Sequence, residues 1–412
     1  MTSYLQWEDG DNLQQARWQC ANGMPQPKQV WVADDTLNAD QAYRMVCEGT
    51  GLLWRGDFHN AKQLLQALAR RVDKTSQNKT AQKTKPPKNK TNPDSEPLAT
   101  TKATAKANPI DPRALVFHQH RQKQAQRARV LSLLLIEIQA DGAIPLRRAP
   151  DVRLPLTEAF GKLSESIVMP LRELQGLIGA HEWRKKGVLV PALQAPIHPY
   201  YGVFSPVRGE YVDLIAQAPL PTALSQYPAL DVGTGTGVLA AILARRGVAH
   251  IIATEQSEVA LTCARANLKN LGCTKQVKVV AADLFPDTAE QYGLVVCNPP
   301  WIPAKVNAPI EAAIYDPDSR MLRQFLLGVR SRLAPGGEAW LILSDIAEHL
   351  GLRTREALLS WISETGLKVH AKDDIRPRHA KVQDTSDPLH AARAAEVTSL
   401  WRLAISDQPA RA

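Results

Sequence analysis

Four consecutive residues, Asn298-Pro-Pro-Trp301, have the types needed to hold a planar amine. The asparagine carbonyl oxygen can accept one hydrogen of an amino group, and a main-chain carbonyl of Pro299 or Pro300 can accept the other. With both hydrogens held, the nitrogen lone pair points out of the plane toward a group donor. The prolines restrict φ and stiffen the loop, and Trp301 can stack on a flat substrate. Such catalysis rests on positioning and electrostatics, because the amine loses its proton only after attack.

A glycine-rich segment over residues 231–237, DVGTGTG, precedes this loop and has the composition of a ligand-binding turn. A sharp bend between a strand and a helix N-terminus, open to a ligand at its backbone, requires residues without side chains. Asp231, at the end of the preceding strand, can orient the turn and meet an amino group of the ligand. We therefore expect a nucleotide-like cofactor to contact Asp231, Gly233, Thr234, Gly235 and Gly237.

Acidic residues end the next two predicted strands. Glu255 lies 24 residues beyond Asp231, where a carboxylate would bind both ribose hydroxyls of a nucleotide. Asp283 and Leu284 follow the third strand and are placed for the amine and one face of an adenine ring. Residues 235–240 also match the looser GxGxxA pattern of dinucleotide-binding folds, and Glu255 would serve that ribose equally well. The glycine turn alone leaves both cofactor classes open.

The position of the Asn-Pro-Pro-Trp loop decides between them. The loop follows the fourth predicted strand, residues 294–297, and therefore lies outside the carboxyl ends of the parallel strands. It is also next to the strand that carries the glycine turn, and ligands of such folds bind in that crevice. A cofactor beside an amine-holding loop favours group transfer to nitrogen over a dinucleotide-binding oxidoreductase.

From residue 187 onward, short apolar segments alternate with amphipathic ones, which predicts an α/β fold with a doubly wound, Rossmann-like parallel sheet over residues 187–412. Strands are predicted at 228–231, 251–254, 277–282, 294–297 and 340–343, with two more near 369 and 400–404. Helices are predicted at 238–246, 257–270, 320–333 and 352–365.

Three segments precede this domain. Residues 1–72 are predicted as a small helical module, because the apolar residues between 61 and 68 recur at helical spacing. Residues 73–113 are rich in lysine and poor in large apolar residues, which predicts a disordered basic linker. Residues 114–186 are predicted as a mostly helical region on the substrate side, with a buried helix over 130–142.

The composition is that of a globular enzyme, with 44% apolar and 22% charged residues in a chain of 412. Much of the net charge of +9 lies in residues 74–110, which hold eight lysines and two acidic residues. That segment is either a solvated spacer or an arm with non-specific affinity for a phosphate backbone. The five cysteines are scattered without a CxxC pair, and no apolar run reaches eighteen residues. We expect a cytoplasmic protein with reduced thiols, no bound metal and no membrane segment.

Taken together, these motifs resemble the class I S-adenosylmethionine-dependent methyltransferases of the branch that methylates exocyclic or amide nitrogens. Gly202-Val-Phe-Ser205 is similar to a segment that helps close the cofactor site in ribosomal-RNA guanine methyltransferases. Residues 315–319 and 333–337 resemble both those enzymes and the release-factor glutamine methyltransferases. The resemblance covers roughly residues 198–345 and implies S-adenosylmethionine as cofactor. It assigns cofactor or amine to Asp231, Gly233, Gly235, Glu255, Asp283 and Asn298, and the acceptor to Trp301.

The acceptor stays open at this point. Trp301 replaces the more frequent Phe or Tyr, and Ile302 stands where the guanine enzymes often have His. The favoured hypothesis is methylation of an amino nitrogen of a nucleic-acid base, in RNA rather than DNA. The alternative is a glutamine or other amide of a protein. A dinucleotide-binding oxidoreductase and a non-catalytic module are less favoured, because Asp231, Glu255 and Asn298 are all intact.

Overall fold

The structure, a computed structural model, describes residues 3–83, 111–206, 209–377 and 384–407, with side chains of the first range described to residue 75. Most of the segment predicted as a disordered linker, residues 84–110, lies outside the described residues. The predicted boundaries of that linker were too wide. Residues 73–83 continue a long helix, and the next helix begins at Pro112.

The first part of the chain forms a six-stranded sheet with helices. Its elements are β1 (Tyr4–Asp9), β2 (Asn12–Trp18), β3 (Gln29–Ala33), α1 (Ala39–Glu48), β4 (Thr50–Trp54), α2 (Phe58–Lys83), α3 (Pro112–Leu131), β5 (Leu134–Ile138), α4 (Arg153–Phe160), β6 (Ile167–Pro170) and α5 (Leu171–Lys186). The strand order is β1-β2-β6-β5-β4-β3. Strands from both sides of the lysine-rich segment therefore share one sheet.

The prediction that residues 1–72 and 114–186 are mostly helical was wrong, because these two segments supply the six strands of this sheet. The segment 130–142, predicted as one buried helix, contains the end of α3 and the central strand β5. Leu134, Leu135, Ile136 and Ile138 are fully buried, since the sheet is covered on both faces. A short apolar run of this kind has no periodicity that separates a buried strand from a buried helix. The predicted helical face of α2 is confirmed, because Ala61 and Leu68 are fully buried.

A short hairpin, β7 (Val188–Val190) and β8 (Ala195–Ile197), leads into the second sheet. The elements that follow are α6 (Glu210–Gln217), β9 (Ala229–Val232), α7 (Val238–Arg245), β10 (Ile251–Glu255), α8 (Glu258–Asn270), β11 (Val277–Ala281), β12 (Tyr292–Cys297), α9 (Arg320–Val329), β13 (Leu333–Ser344), α10 (Ile346–His349), α11 (Arg355–Glu364), β14 (Leu367–Ile375), α12 (His390–Ala395) and β15 (Thr398–Ile405).

The second sheet confirms the predicted doubly wound α/β fold. Its order is β11-β10-β9-β12-β13-β15-β14, with β15 antiparallel to both of its neighbours. Successive strand residues point to opposite faces, so Ala229 packs with α6 and α7 whereas Leu230 packs with α9 and α11. The crossover order places β9 and β12 side by side at the centre, where the strand order reverses.

Helix α3 joins the two sheets. Near its beginning, Phe117 is buried in a cluster with Ala304 and Leu350 of the second part. At its end, Val130 and Leu131 belong to the core of the first sheet. The helix carries five basic residues and no acidic one. Three of these basic residues form ion pairs, Arg113 with Asp111, Arg121 with Glu311 and Arg127 with Asp73.

Candidate active site

The carboxyl ends of three strands lie side by side at one edge of the second sheet. Val232 of β9 pairs with Thr254 of β10 on one side and with Cys297 of β12 on the other. The next residue of each chain segment therefore lies at this same edge. These residues are Gly233, Glu255, which is the last residue of β10, and Asn298, three of the residues that the sequence assigns to the cofactor or the amine.

Asp231 is buried at this edge with one oxygen engaged and one free. Its Oδ2 accepts hydrogen bonds from the Thr234 hydroxyl at 2.6 Å and the Ala240 amide at 3.1 Å. Its Oδ1 is buried without a hydrogen-bond partner among the described residues. Burial, opposed by these hydrogen bonds, raises the pKa of Asp231 to about 6. A buried carboxylate oxygen without a partner is costly, which marks this atom as a position for a donor from a ligand.

The three glycines of the turn have different roles. All adopt positive φ, at 70° for Gly233, 56° for Gly235 and 81° for Gly237, a region that side-chain-bearing residues rarely enter. A Cβ on Gly237 would lie 3.2 Å from Leu268, so this glycine permits close packing of α7 on α8. A Cβ on Gly233 would meet the end of the Met321 side chain at 3.1 Å, whereas one on Gly235 would make only an ordinary contact with the Gly233 carbonyl oxygen at 4.0 Å. Gly235 is therefore the least crowded of the three glycines.

Glu255 connects the end of β10 to the glycine turn. Its Oε2 accepts from the Gly235 amide at 3.2 Å, and its Oε1 accepts from the amides of Gln256 and Ser257 at 2.8 and 3.0 Å. Oε2 keeps one acceptor position, since a carboxylate oxygen has two lone pairs and only Oε1 already accepts two hydrogen bonds. The glutamate thus stands at the mouth of the turn, where a ribose would come.

Asp283 and Leu284 lie after β11. Asp283 is exposed, and Leu284 is half-buried with φ at 64°, an unusual value for a residue with a side chain. The Thr254 hydroxyl donates to the Leu284 carbonyl at 2.6 Å and holds this conformation. The backbone thus turns sharply beside the crevice, as a loop that covers a planar ring would.

The Asn298 side chain is held from two sides. Its Oδ1 accepts from the Trp301 indole Nε1 at 2.9 Å. Its amide also hydrogen-bonds the hydroxyl of Tyr211, a buried residue of α6. Because an indole N–H can only donate, the amide oxygen faces Trp301 and the NH₂ is the end left for Tyr211. Trp301 and Tyr211 together fix the orientation of the Asn298 amide.

The structure modifies the predicted role of Trp301. The indole is half-buried, packs edge-on against the Tyr211 ring with centroids 6.4 Å apart, and bonds the asparagine of its own loop. Trp301 is therefore a support of Asn298 in this conformation as well as a candidate stacking surface. Pro299 is buried and Pro300 half-buried between them.

Tyr211 was missed in the sequence analysis. It lies far from the loop along the chain, and nothing in its local sequence separates it from an ordinary core tyrosine. Only the packing of α6 against α7 and β15, which brings Tyr211 next to the loop after β12, reveals the contact.

Tyr211→Phe should lower kcat about tenfold and leave the Kd for cofactor unchanged, because the asparagine amide loses the partner that orients it. The loss of one hydrogen bond should cost about 1 kcal/mol of stability. Steady-state kinetics with calorimetric cofactor titration would measure both effects. Tyr227→Phe, a half-buried tyrosine elsewhere in the domain, is the matched control, and equal kcat values for the two variants would remove the positioning role.

A cavity of about 810 Å³ lies beside this site, between the two domains. It is bounded by α3 and α5, by the segment 199–205 that includes the GVFS residues, and by the loop after Trp301. Ile302 and Tyr315 line it, and they form a bridge that continues the Asn-Pro-Pro-Trp loop. The segment 199–205 is tied to the glycine turn through Asn267, which bonds both His198 and Thr236. The cavity thus adjoins the site at two of its sides.

Within the described residues there is no cluster of three or more His, Cys, Asp or Glu side chains suited to a metal ion. Within the same residues, no helix is long and apolar enough to cross a membrane. The chemistry of the site is that of an amide, a carboxylate pair and a glycine turn.

Comparison with known proteins agrees with this geometry. Residues 196–359 match the family described as methyltransferase small domain. The tRNA1(Val) (adenine(37)-N6)-methyltransferase of Cytophaga hutchinsonii is 31% identical over 208 residues, which cover 45% of this chain and 87% of that protein. The same enzyme from Shewanella loihica is 30% identical over 46% of this chain and 79% of its own length. The release factor glutamine methyltransferase of Cereibacter sphaeroides is 37% identical over 34% of this chain and 51% of its own.

The chain belongs to the methyltransferase small domain family. It is an enzyme that transfers a methyl group to a nitrogen atom, as the predicted fold and motif indicated. The first sheet, residues 4–170, lies outside the matched segment.

Proposed function

We propose that this enzyme transfers the methyl group of S-adenosylmethionine to the exocyclic amino nitrogen of a base in RNA. The observation that carries the proposal is the adjacency of Asp231 and Asn298 at the ends of paired strands. One presents a buried carboxylate oxygen without a partner, and the other an amide held in a fixed orientation. A cationic cofactor and a neutral amine are the ligands that these two groups suit.

The residues present fit the proposed cofactor. Asp231 Oδ1 would accept from its α-ammonium group, which would supply the missing partner. The absence of a side chain at Gly235, the least crowded glycine of the turn, would admit the methionine portion against the backbone, and Glu255 would bind the ribose hydroxyls. Asp283 and Leu284 would contact the adenine. The bound cofactor would supply an electrophilic methyl group, which leaves the protein only the task of alignment.

Asn298 would perform that alignment. An amide oxygen has two acceptor positions, so Oδ1 can retain the Trp301 indole and accept one hydrogen of the substrate amine. A backbone carbonyl of Pro299 or Pro300 would accept the second hydrogen. The amine lone pair would then point at the methyl group, and the excess proton would leave to solvent after transfer. Holding reactants in this way is a large part of catalysis where no strong base is needed.

The choice of RNA over protein is supported by coverage. The relatives named as tRNA adenine methyltransferases are matched over 87% and 79% of their length, the release factor methyltransferase over 51%. A tRNA-type substrate would place the enzyme in the cytoplasm.

Incubation with methyl-labelled S-adenosylmethionine and separate RNA, DNA and protein fractions tests the proposal. Label in the RNA, released by nuclease as an N-methylated base, supports it, and label confined to the glutamine of a polypeptide would establish the alternative.

The lysine-rich segment supplies a further prediction. Replacing Lys85, Lys88, Lys90, Lys102 and Lys106 with glutamine should weaken RNA binding and flatten its salt dependence. If all five contact phosphates of single-stranded RNA, the slope of log K against log salt should fall by about 3.5. Fluorescence anisotropy at several salt concentrations measures the slope. An unchanged slope would mean that these lysines do not contact RNA and that the segment is only a spacer.

A further inference from the structure

The interdomain cavity has walls that no described part of the mechanism uses. One wall is a face of α5, on which Arg172, Gly176, Gly179, Ala180 and Trp183 recur at helical spacing. The small residues in the middle of this face leave the cavity open. A Cβ added at Gly176 or Gly179 would meet nothing within 4 Å. The volume, about 810 Å³, is within the usual range of ligand pockets.

The ends of this face carry a cation and a large aromatic ring. Arg172 is exposed and has no ion pair or hydrogen bond among the described residues. The Trp183 side chain is 53% exposed at the other end of the face. An exposed tryptophan in a concave surface is a stacking platform for a planar group.

The opposite wall is formed by helix α3 and by the segment that carries Tyr200. The Tyr200 ring is covered by the guanidinium of Arg184 at 3.6 Å. Arg121 of α3 stacks on Tyr315 at 3.8 Å and pairs with Glu311 at 2.7 Å, which fixes the loop after Trp301. These contacts hold the part of the cavity wall that lies next to the Asn-Pro-Pro-Trp loop.

The acidic groups of the cavity are already engaged. Glu311 pairs with Arg121, and Glu173 is buried with hydrogen bonds from Cys20, Ala21 and Asn22 at 2.6–3.1 Å. Because Glu173 is buried and the lining Arg121 and Arg393 are ion-paired, the charge that these walls expose comes from Arg172, with Lys185 and Lys186 beyond it at the end of α5. A positive cleft with aromatic platforms matches a single-stranded nucleic acid.

We propose that this cavity binds the nucleotides that flank the methylated base, with Trp183 stacked on a flanking base and Arg172 paired with a phosphate. The proposal rests on the RNA-base methylation proposed above and adds its substrate-binding site, contributed largely by the domain outside the family match. A polypeptide acceptor would instead call for carboxylate or apolar subsites along these walls.

Steady-state methylation of unfractionated tRNA, with anisotropy titrations of a fluorescein-labelled single-stranded RNA of mixed sequence, tests the proposal. Trp183→Ala should weaken RNA binding about 5- to 100-fold, as loss of one base stack does. Arg172→Ala should weaken it and reduce the salt slope by about 0.7, with Arg172→Lys restoring the slope. In each case KM for RNA should rise while kcat and the Kd for S-adenosylmethionine stay unchanged.

Gly179→Leu provides a variant that removes no side chain. Leucine is a better helix former than glycine, so the melting temperature should hold or rise, yet its side chain would project from the α5 face between Arg172 and Trp183 and obstruct RNA there. Trp31→Ala and Arg70→Ala, an exposed tryptophan and an exposed arginine of the same domain, are the matched controls.

The two proposals fail differently in these experiments. If the wild-type enzyme methylates RNA while Trp183→Ala, Arg172→Ala and Gly179→Leu behave as the controls do, the cavity proposal is overturned and the proposed function stands. If the wild-type enzyme places no methyl group in RNA, the proposed function is overturned and the cavity proposal falls with it.

Discussion

Asn298→Ala is expected to lower kcat by about 10²–10³-fold, the usual cost of removing one preorganised polar group that acts in the transition state. The carbonyl oxygen that aligns the amine would be lost, whereas Asp231 and the glycine turn would remain in place. The Kd for S-adenosylmethionine should therefore stay within a few-fold of wild type. Single-turnover methyl transfer and calorimetric titration on the same preparation measure the two quantities.

A structural effect accompanies this substitution and must be separated from the catalytic one. The Trp301 indole and the Tyr211 hydroxyl would each lose a partner, which costs about 1–3 kcal/mol for a buried group. Circular dichroism melting would show whether the variant is folded at the assay temperature. Asn298→Asp keeps an acceptor oxygen at the same position and should recover part of the activity. Asn270→Ala, on the exposed face of α8, should be neutral.

Turnover of Asn298→Ala close to wild type would remove Asn298 from the mechanism. The backbone carbonyls of Pro299 and Pro300 would then be the groups that hold the amine. Equal loss of cofactor affinity and turnover would instead assign Asn298 to the cofactor.

The second domain could be predicted from sequence because its signals are local. Glycines mark the turn after β9, and prolines mark the loop after β12. Each lies at the end of an apolar strand, and the rule that parallel strands present their carboxyl ends together then brings Gly233, Glu255 and Asn298 to one edge. No long-range contact has to be known for that inference. The predicted helix over 257–270 is also confirmed, and the Ser257 hydroxyl caps it by accepting from the Ala260 amide.

The central strands of the first domain could not be predicted in this way because they pair with strands that lie far away in the chain. β4 and β5 are neighbours in the sheet although some eighty residues separate them in the chain. Tyr211 was invisible for a related reason, since its role depends on where α6 packs. The hydrogen bond from the Trp301 indole to the Asn298 oxygen could not be predicted from the sequence either. Trp301 was expected to face the substrate rather than its own loop.

Asp231→Asn should raise the Kd for S-adenosylmethionine about 30-fold or more, since breaking a buried charge pair by changing one partner costs about 2–5 kcal/mol. The amide oxygen could still accept from Thr234 and Ala240, so the turn should keep its shape. The amide NH₂ would then occupy the place of Oδ1 and point a donor at the ammonium of the cofactor. Isothermal calorimetry measures the loss, with Asp287→Asn, an exposed aspartate, as the control.

The raised pKa of Asp231, about 6, gives this prediction a pH signature. Only the ionised carboxylate attracts the ammonium, so wild-type affinity should fall about tenfold between pH 7 and pH 5. Binding near pH 6 should release a proton, visible as a dependence of the calorimetric heat on the ionisation enthalpy of the buffer. Asp231→Asn should lose both effects.

Asp231→Asn should stabilise the folded protein although it weakens cofactor binding. Because burial raises the folded pKa above its ordinary value of 3.8, the carboxyl favours folding below pH 3.8, and this contribution is lost as pH rises through 6. Asp231→Asn should therefore be more stable than wild type at pH 7, by up to about 3 kcal/mol, with the difference vanishing near pH 4. Urea unfolding at both pH values measures it. A variant that is less stable at pH 7 and binds the cofactor normally would mean that Asp231 only braces the turn, and that the cofactor ammonium is held elsewhere.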